Sequence, residues 1–175
     1  SIAGGLAVFA LVPLLGELHS RRRAIGAVVA HVGFVFMVIA AGAATTLKIE
    51  EDFPLQQAET RMVGGYAVRL QDVVVENTPS YEAVRARVTL QRHNAAAREV
   101  NPELRHYPRS RQNTAEAAVL TTAREDAYVV VTGVEENGRK LQVKMYVNPL
   151  QVWLWVGAVL VVAGGFWAAA RHVKY

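Results

Sequence analysis

The sequence predicts a membrane α-helical protein that carries an all-β extracytoplasmic domain. Three transmembrane helices are expected, the first truncated, with a small antiparallel, OB-like β-barrel inserted before the last. Three observations predict this. Ala24–Ala44 runs 21 residues and Pro149–Ala170 runs 22, neither with a formal charge. At about 1.5 Å per helical residue, each spans the roughly 30 Å of a bilayer's hydrocarbon core. The stretch between them is polar and alternates with the period of a half-buried strand. The excess basic charge falls at the ends of the apolar runs.

The formal charge is +4, and its placement says more than its sum. Residues Leu47–Asn148 hold 14 Lys and Arg against 14 Asp and Glu. The remaining basic residues are Arg21, Arg22, Arg23, Arg171 and Lys174, offset only by Glu17. A neutral folded region offers no basic face to a nucleic acid, so that partner class is excluded. Basic residues at span ends instead follow the positive-inside rule. The chain has no cysteine, which excludes disulfides, thiolate nucleophiles, zinc–thiolate sites and a haem attached through its own thiols. No basic residue precedes the first apolar run, so no secretory signal is visible.

Taken in order, residues 1–23 read as a partial transmembrane helix and a cytoplasmic loop. Ile2–Leu18 is apolar up to Glu17 and begins abruptly at Ser1, as expected of a piece of a longer chain. His19–Arg23 forms the loop, with His19 a solvated residue. Residues 24–46 form the second helix, running from inside to outside. Its one ionisable side chain, His31, lies eight residues past Arg23, about 12 Å into the cytoplasmic half. An imidazole there needs a partner to offset lost hydration. A proton relay, a hydrogen-bonding neighbour and a metal such as haem iron all qualify. Gly26, Ala27, Ala30 and Gly33 place small side chains around it, which admit another helix or a flat macrocycle.

Residues 47–148 form the β-domain. Val84, Ala86, Val88 and Leu90 alternate with Arg85, Arg87, Thr89 and Gln91, predicting a strand over Tyr81–Gln91. Further strands are expected at Tyr66–Val75, Ala117–Thr121, Tyr128–Thr132 and Leu141–Val147, with Gln91–Arg98 and Tyr107–Asn113 as loops. Asn137-Gly138 signals a tight hairpin. Five or six short strands in about 100 residues suggest the barrel. Residues 149–175 form the last helix and a cytoplasmic tail. Pro149 suits its start, and Trp153, Trp155 and Trp167 suit the two interfaces.

Three stretches carry a family resemblance: GAVVAHVG at Gly26–Gly33, PELRHYPRSRQNTAEAAV at Pro102–Val119 and VNPLQVWLWVGAVLVVAGG at Val147–Gly165. Across essentially its whole length the chain resembles the C-terminal third of the CcmF-type cytochrome c haem lyases, including the related assembly factors for nitrite reductase. Leu104 and Ala115 depart from the Lys and Thr usual there. The family's tryptophan-rich haem-handling segment and outer-side histidines have no counterpart here. The resemblance implies that His31 is an axial ligand of a b-type haem inside the membrane, with the second ligand on an earlier helix. It implies that this haem, fed by quinol, reduces substrate haem iron before thioether formation. The implied partners are the N-terminal part of the same lyase, a haem chaperone, apocytochrome c with its thiol-handling factors, and membrane lipid. Arginine greatly outnumbers lysine and Ala and Val are abundant, which points to a bacterial inner membrane ahead of a mitochondrial one, with the β-domain in the periplasm. Glu103, Arg105, Tyr107 and Glu116 in the second stretch either brace the barrel or dock a haem chaperone or apocytochrome. His93 and His106 show no ligand spacing, and His172 reads as a surface residue. Two other functions fit the residues alone: a membrane-anchored scaffold without haem, and part of a proton-coupled transporter.

Overall fold

A computed structural model describes residues 25–135 and 140–170. The expected first helix and loop, the Asn137-Gly138 turn and the basic tail with His172 lie outside them. The described chain forms two compact units. One holds the helices together with the short segment Thr122–Glu125, and the other spans Ile49–Thr121 and Asp126–Val147.

The helical unit is a pair, α1 (Ile25–Thr46) and α2 (Gln151–Ala170). Both are long and apolar enough to cross a membrane, and most of their surface faces outward. They run antiparallel along a seam of small residues. A Cβ added at Gly26 would lie 2.6 Å from the Ala168 nitrogen, and one at Gly33 2.6 Å from the Gly157 carbonyl oxygen. Only glycine permits backbones to approach so closely. Gly26, Ala30 and Gly33 thus serve the helix pair, and of the small residues near His31 only Ala27 lies off the seam. The segment Thr122–Glu125 caps the start of α2. Leu150 N–H donates to the Arg124 carbonyl (2.7 Å), and Trp153 Nε1–H donates to the Ala123 carbonyl (2.8 Å). The Trp153 ring packs on Phe36 with centroids 5.8 Å apart. Pro149 closes the preceding strand rather than opening the helix, because Leu150 between them takes a left-handed φ of 59°.

The β-unit has ten strands where five or six were expected: β1 (Ile49–Gln56), β2 (Thr60–Val63), β3 (Tyr66–Asn77), β4 (Glu82–Arg92), β5 (Arg98–Val100), β6 (Glu103–Tyr107), β7 (Gln112–Glu116), β8 (Ala118–Thr121), β9 (Glu125–Glu135) and β10 (Lys140–Pro149). They do not close into one OB-like barrel. One sheet has the order β1-β10-β9-β8, and the other β2-β3-β4-β6-β7 with β5 paired to β4. Alternation reports that a strand is half-buried, whereas closure depends on which edges pair, and that lies outside the pattern. Both sheets contribute to one core: Phe53, Leu55, Val68, Leu70, Val88, Leu90, Val129, Val131, Leu141 and Met145 are all at most 2% exposed. The expected loop Tyr107–Asn113 is shortened because β7 begins at Gln112. Gly64 and Gly65, at φ 56° and 83°, make the two-residue β2–β3 hairpin in which both central residues need positive φ.

Candidate functional site

His31 lies on the second turn of α1, half-buried. Its Nδ1 is 2.7 Å from the Ala27 carbonyl oxygen, one turn back along the same helix. A carbonyl can only accept, so Nδ1 carries the proton, and it is Nε2 that holds the lone pair whenever the ring is neutral. Helical geometry sets where the ring points. At about 100° per residue, Gly26, Ala30, Gly33, Met37 and Ala40 cluster within about 40° of one direction, and His31 lies about 140° from it. The contacts at Gly26, Ala30, Gly33 and Met37 place α2 on that clustered side. His31 therefore faces away from α2, on a side shared with Ala27, Val35 and Val38. It is the sole histidine of the described helical residues. Among the described residues, no cluster of three or more His, Asp or Glu side chains could hold a metal ion.

The other four predicted residues lie in the β-unit and come together. On β6, Glu103, Arg105 and Tyr107 share the face opposite Leu104, which packs on the core. Register sets Arg85 of β4 and Glu116 of β7 on either side of Glu103. Glu103, with its side chain 12% exposed, accepts from Arg85 Nε (2.5 Å) and from Arg105 Nη2 (2.9 Å) and Nε (3.0 Å). Arg105 reaches on to Glu116 (3.4 Å), and Arg85 to Glu76 (3.3 Å). The Arg105 guanidinium lies over the Tyr81 ring at 5.1 Å, and Tyr81 meets Tyr107 at 5.6 Å. Burial pushes the Glu103 carboxyl up, but the hydrogen bonds and charges of Arg85 and Arg105 together outweigh it and hold it below the usual carboxylate range. Both arginines are correspondingly raised, each chiefly by its hydrogen bond to Glu103. Among the described residues the arrangement is a continuous ion-pair network from Glu76 through Arg85, Glu103 and Arg105 to Glu116.

Arg85, Tyr81 and Glu76 are members that sequence reasoning missed. Arg85 reads as an ordinary outward residue of an alternating strand, and only the β4–β6 register puts it opposite Glu103. His93 sits in the turn after β4 with a positive φ of 47°. His106 Nδ1 is paired with Asn113 Oδ1 at 2.7 Å across β6–β7. Neither joins the network or His31's unit.

A family model described as the CcmF C-terminal beta-sandwich matches residues 46–149. The cytochrome c-type biogenesis protein CcmF of Haemophilus influenzae is 26% identical over 80% of this chain and 22% of its own length. The probable cytochrome c-type biogenesis protein NrfE of Escherichia coli is 25% identical over 97% and 31% respectively. The protein CycK of Bradyrhizobium diazoefficiens is 28% identical over 82% and 22%. A solved structure of the cytochrome c heme lyase CcmF shares the fold, with a TM-score of 0.71 at 21% identity, over 95% of this chain and 29% of that one. The chain thus spans between about a fifth and a third of the length of these relatives. The match covers the whole β-unit and ends where α2 begins: the chain belongs to the family of the CcmF C-terminal β-sandwich.

Proposed function

We propose that this chain is the haem-ligating end of a membrane haem lyase for cytochrome c maturation, with His31 as one axial ligand of a b-type haem. The observation that carries this reading is the His31 ring: Nδ1–H is tied to Ala27, and the ring sits on the face of α1 turned away from its partner helix. Neutral imidazole is a good ligand for haem iron, and a backbone acceptor on the second nitrogen fixes its tautomer. Among the described helical residues the donor set offers one ligand, His31, and a second would come from the part of the lyase that the chain does not span. When bound, such a haem supplies one-electron chemistry, here to a substrate haem iron, with quinol as the source of electrons.

What the chain's own residues do is more limited. His31 holds and orients, α1 and α2 keep that ring inside the bilayer, and the sandwich stands in the periplasm of a bacterial inner membrane. The thiols for thioether bonds belong to apocytochrome c, since this chain has no cysteine. The braced face around Glu103, Arg105, Tyr107 and Glu116 presents Tyr81 and Tyr107 toward a haem chaperone or the apocytochrome with its thiol-handling factors. The relatives' names, which all refer to cytochrome c biogenesis, support the same setting.

The test is a visible spectrum of the full-length protein. Sharp reduced α and β bands are expected in the wild type and absent in His31→Ala. In His31→Gly, added imidazole restores them. Unchanged bands in His31→Ala remove the ligand assignment. A well-folded wild type without haem favours a scaffold, and proton-coupled uptake lost with His31 favours a carrier.

A further inference from the structure

We infer that the seam glycines, Gly164 and Gly157 above all, are positioning residues for His31. This rests on the ligand reading above and adds how the ring is aimed. Gly164 faces the turn of α1 that carries the imidazole. A Cβ there would lie 2.5 Å from the Ala30 nitrogen and 2.5 Å from the Gly26 carbonyl oxygen. Both are backbone atoms that no rotamer change can move aside. Ala30 adjoins His31, and Ala27, which accepts the Nδ1 proton, lies between the two touched residues. The wall of α2 and the hydrogen bond that orients the ring thus act on one helical turn from opposite sides.

Gly157 does the same two turns further on. Its Cβ would meet the Gly33 carbonyl oxygen at 2.6 Å and Met37 Cγ at 2.7 Å. With α1 held at Gly26, Ala30, Gly33 and Met37, the helix can neither roll nor slide without separating the pair. The roll angle of α1 is what sets the direction of Nε2. A methyl at Gly164 needs about 1 Å of added separation to reach ordinary contact, and a shift of about that size is enough to spoil a ligand geometry. Gly165, next along α2, has nothing within 4 Å of its Cβ position. It serves as the matched control, with the same substitution in the same helix and no wall to strike.

The experiment compares Gly164→Ala, Gly157→Ala and Gly165→Ala in the full-length protein, with spectra normalised to purified protein. A redox titration and the ratio of six-coordinate low-spin to high-spin absorbance are the readouts. The expected result is loss of low-spin absorbance and a shifted midpoint in the first two, with Gly165→Ala matching the wild type. Unchanged spectra and midpoint in Gly164→Ala and Gly157→Ala overturn the proposal, as does an equal change in Gly165→Ala. Loss of both seam variants from the membrane, leaving nothing to measure, also overturns it, because the glycines then serve packing alone. His31→Ala separates the two levels. If it abolishes the bands while the seam variants keep them, only the positioning role falls. If it leaves the bands intact, the ligand reading falls and the positioning role with it.

Discussion

Glu103 is held by two guanidiniums at once, and that decides what its removal does. The side chain is 12% exposed, whereas Arg85 and Arg105 keep 44% and 28% of theirs in water. Glu103→Gln removes the charge that both arginines answer, and it costs about 2 kcal/mol by the usual worth of charge-assisted hydrogen bonds. The arginines are wet enough to rehydrate, so the larger penalty of a stranded buried charge does not apply. The carboxyl titrates below its ordinary value when folded. Its contribution is therefore fully present above the unfolded value of about 4.3 and is lost as pH falls through the folded value. In urea titrations, the wild-type midpoint should fall more between about pH 6 and about pH 3 than the Glu103→Gln midpoint does. Parallel acid limbs in the two proteins would remove Glu103 from the account. At this scale the sequence was informative in part. The i, i+2, i+4 spacing of Glu103, Arg105 and Tyr107 puts them on one face of any strand, but nothing in the sequence names Arg85 as a further partner.

Elements were legible where one residue type repeats at one period. The strand of Val84, Ala86, Val88 and Leu90 was, and so were both apolar helices. β1 was not: Glu50, Glu51, Asp52 and Pro54 make it read as polar loop, yet Phe53 and Leu55 on it are buried. As an edge strand it can carry a proline and solvated acids on one side. β7 has all five residues exposed, so no alternation exists to be read. The β2–β3 hairpin shows the reverse case, where two glycines announce a turn but only the structure separates their roles. Gly64 combines a φ of 56° with a Cβ position 2.8 Å from Val147 Cγ2, and Val147 belongs to the core. Gly65 has a φ of 83° and its nearest neighbours at 3.9 Å, the far end of the Arg92 side chain. Gly64→Ala should cost about 1–2 kcal/mol, from left-handed strain plus displacement of Val147. Gly65→Asn should cost well under that, because asparagine tolerates this region and has space. Thermal unfolding of the two variants side by side checks the order, and equal losses would mean that the turn conformation alone matters.

For the whole molecule, the decisive feature is connectivity. The β-unit is inserted between the end of α1 and the start of α2, and the two helices are antiparallel, so both junctions leave the same end of the pair. On the function proposed above, both helices cross a bilayer in opposite directions, and the chain between them then lies on one side. Charge supplies the side. The β-unit is nearly balanced, whereas Arg21–Arg23, Arg171 and Lys174 flank the opposite ends of the two runs. On the function proposed above, the cationic flanks stay in the cytoplasm and the sandwich lies in the periplasm. The sandwich itself escaped the sequence because two sheets and one closed barrel share the same alternating strands. The absence of cysteine from this chain makes the topology directly measurable. A single cysteine at Ala96, in the exposed loop after β4, should react with a membrane-impermeant maleimide in cells whose outer membrane alone is permeabilised. One at Ala169, near the far end of α2, should react only after the inner membrane is broken. The opposite pattern would place the sandwich in the cytoplasm. It would also put His31 in the outer half of the bilayer, and the lyase reading would lose its geometry even if the imidazole still bound iron.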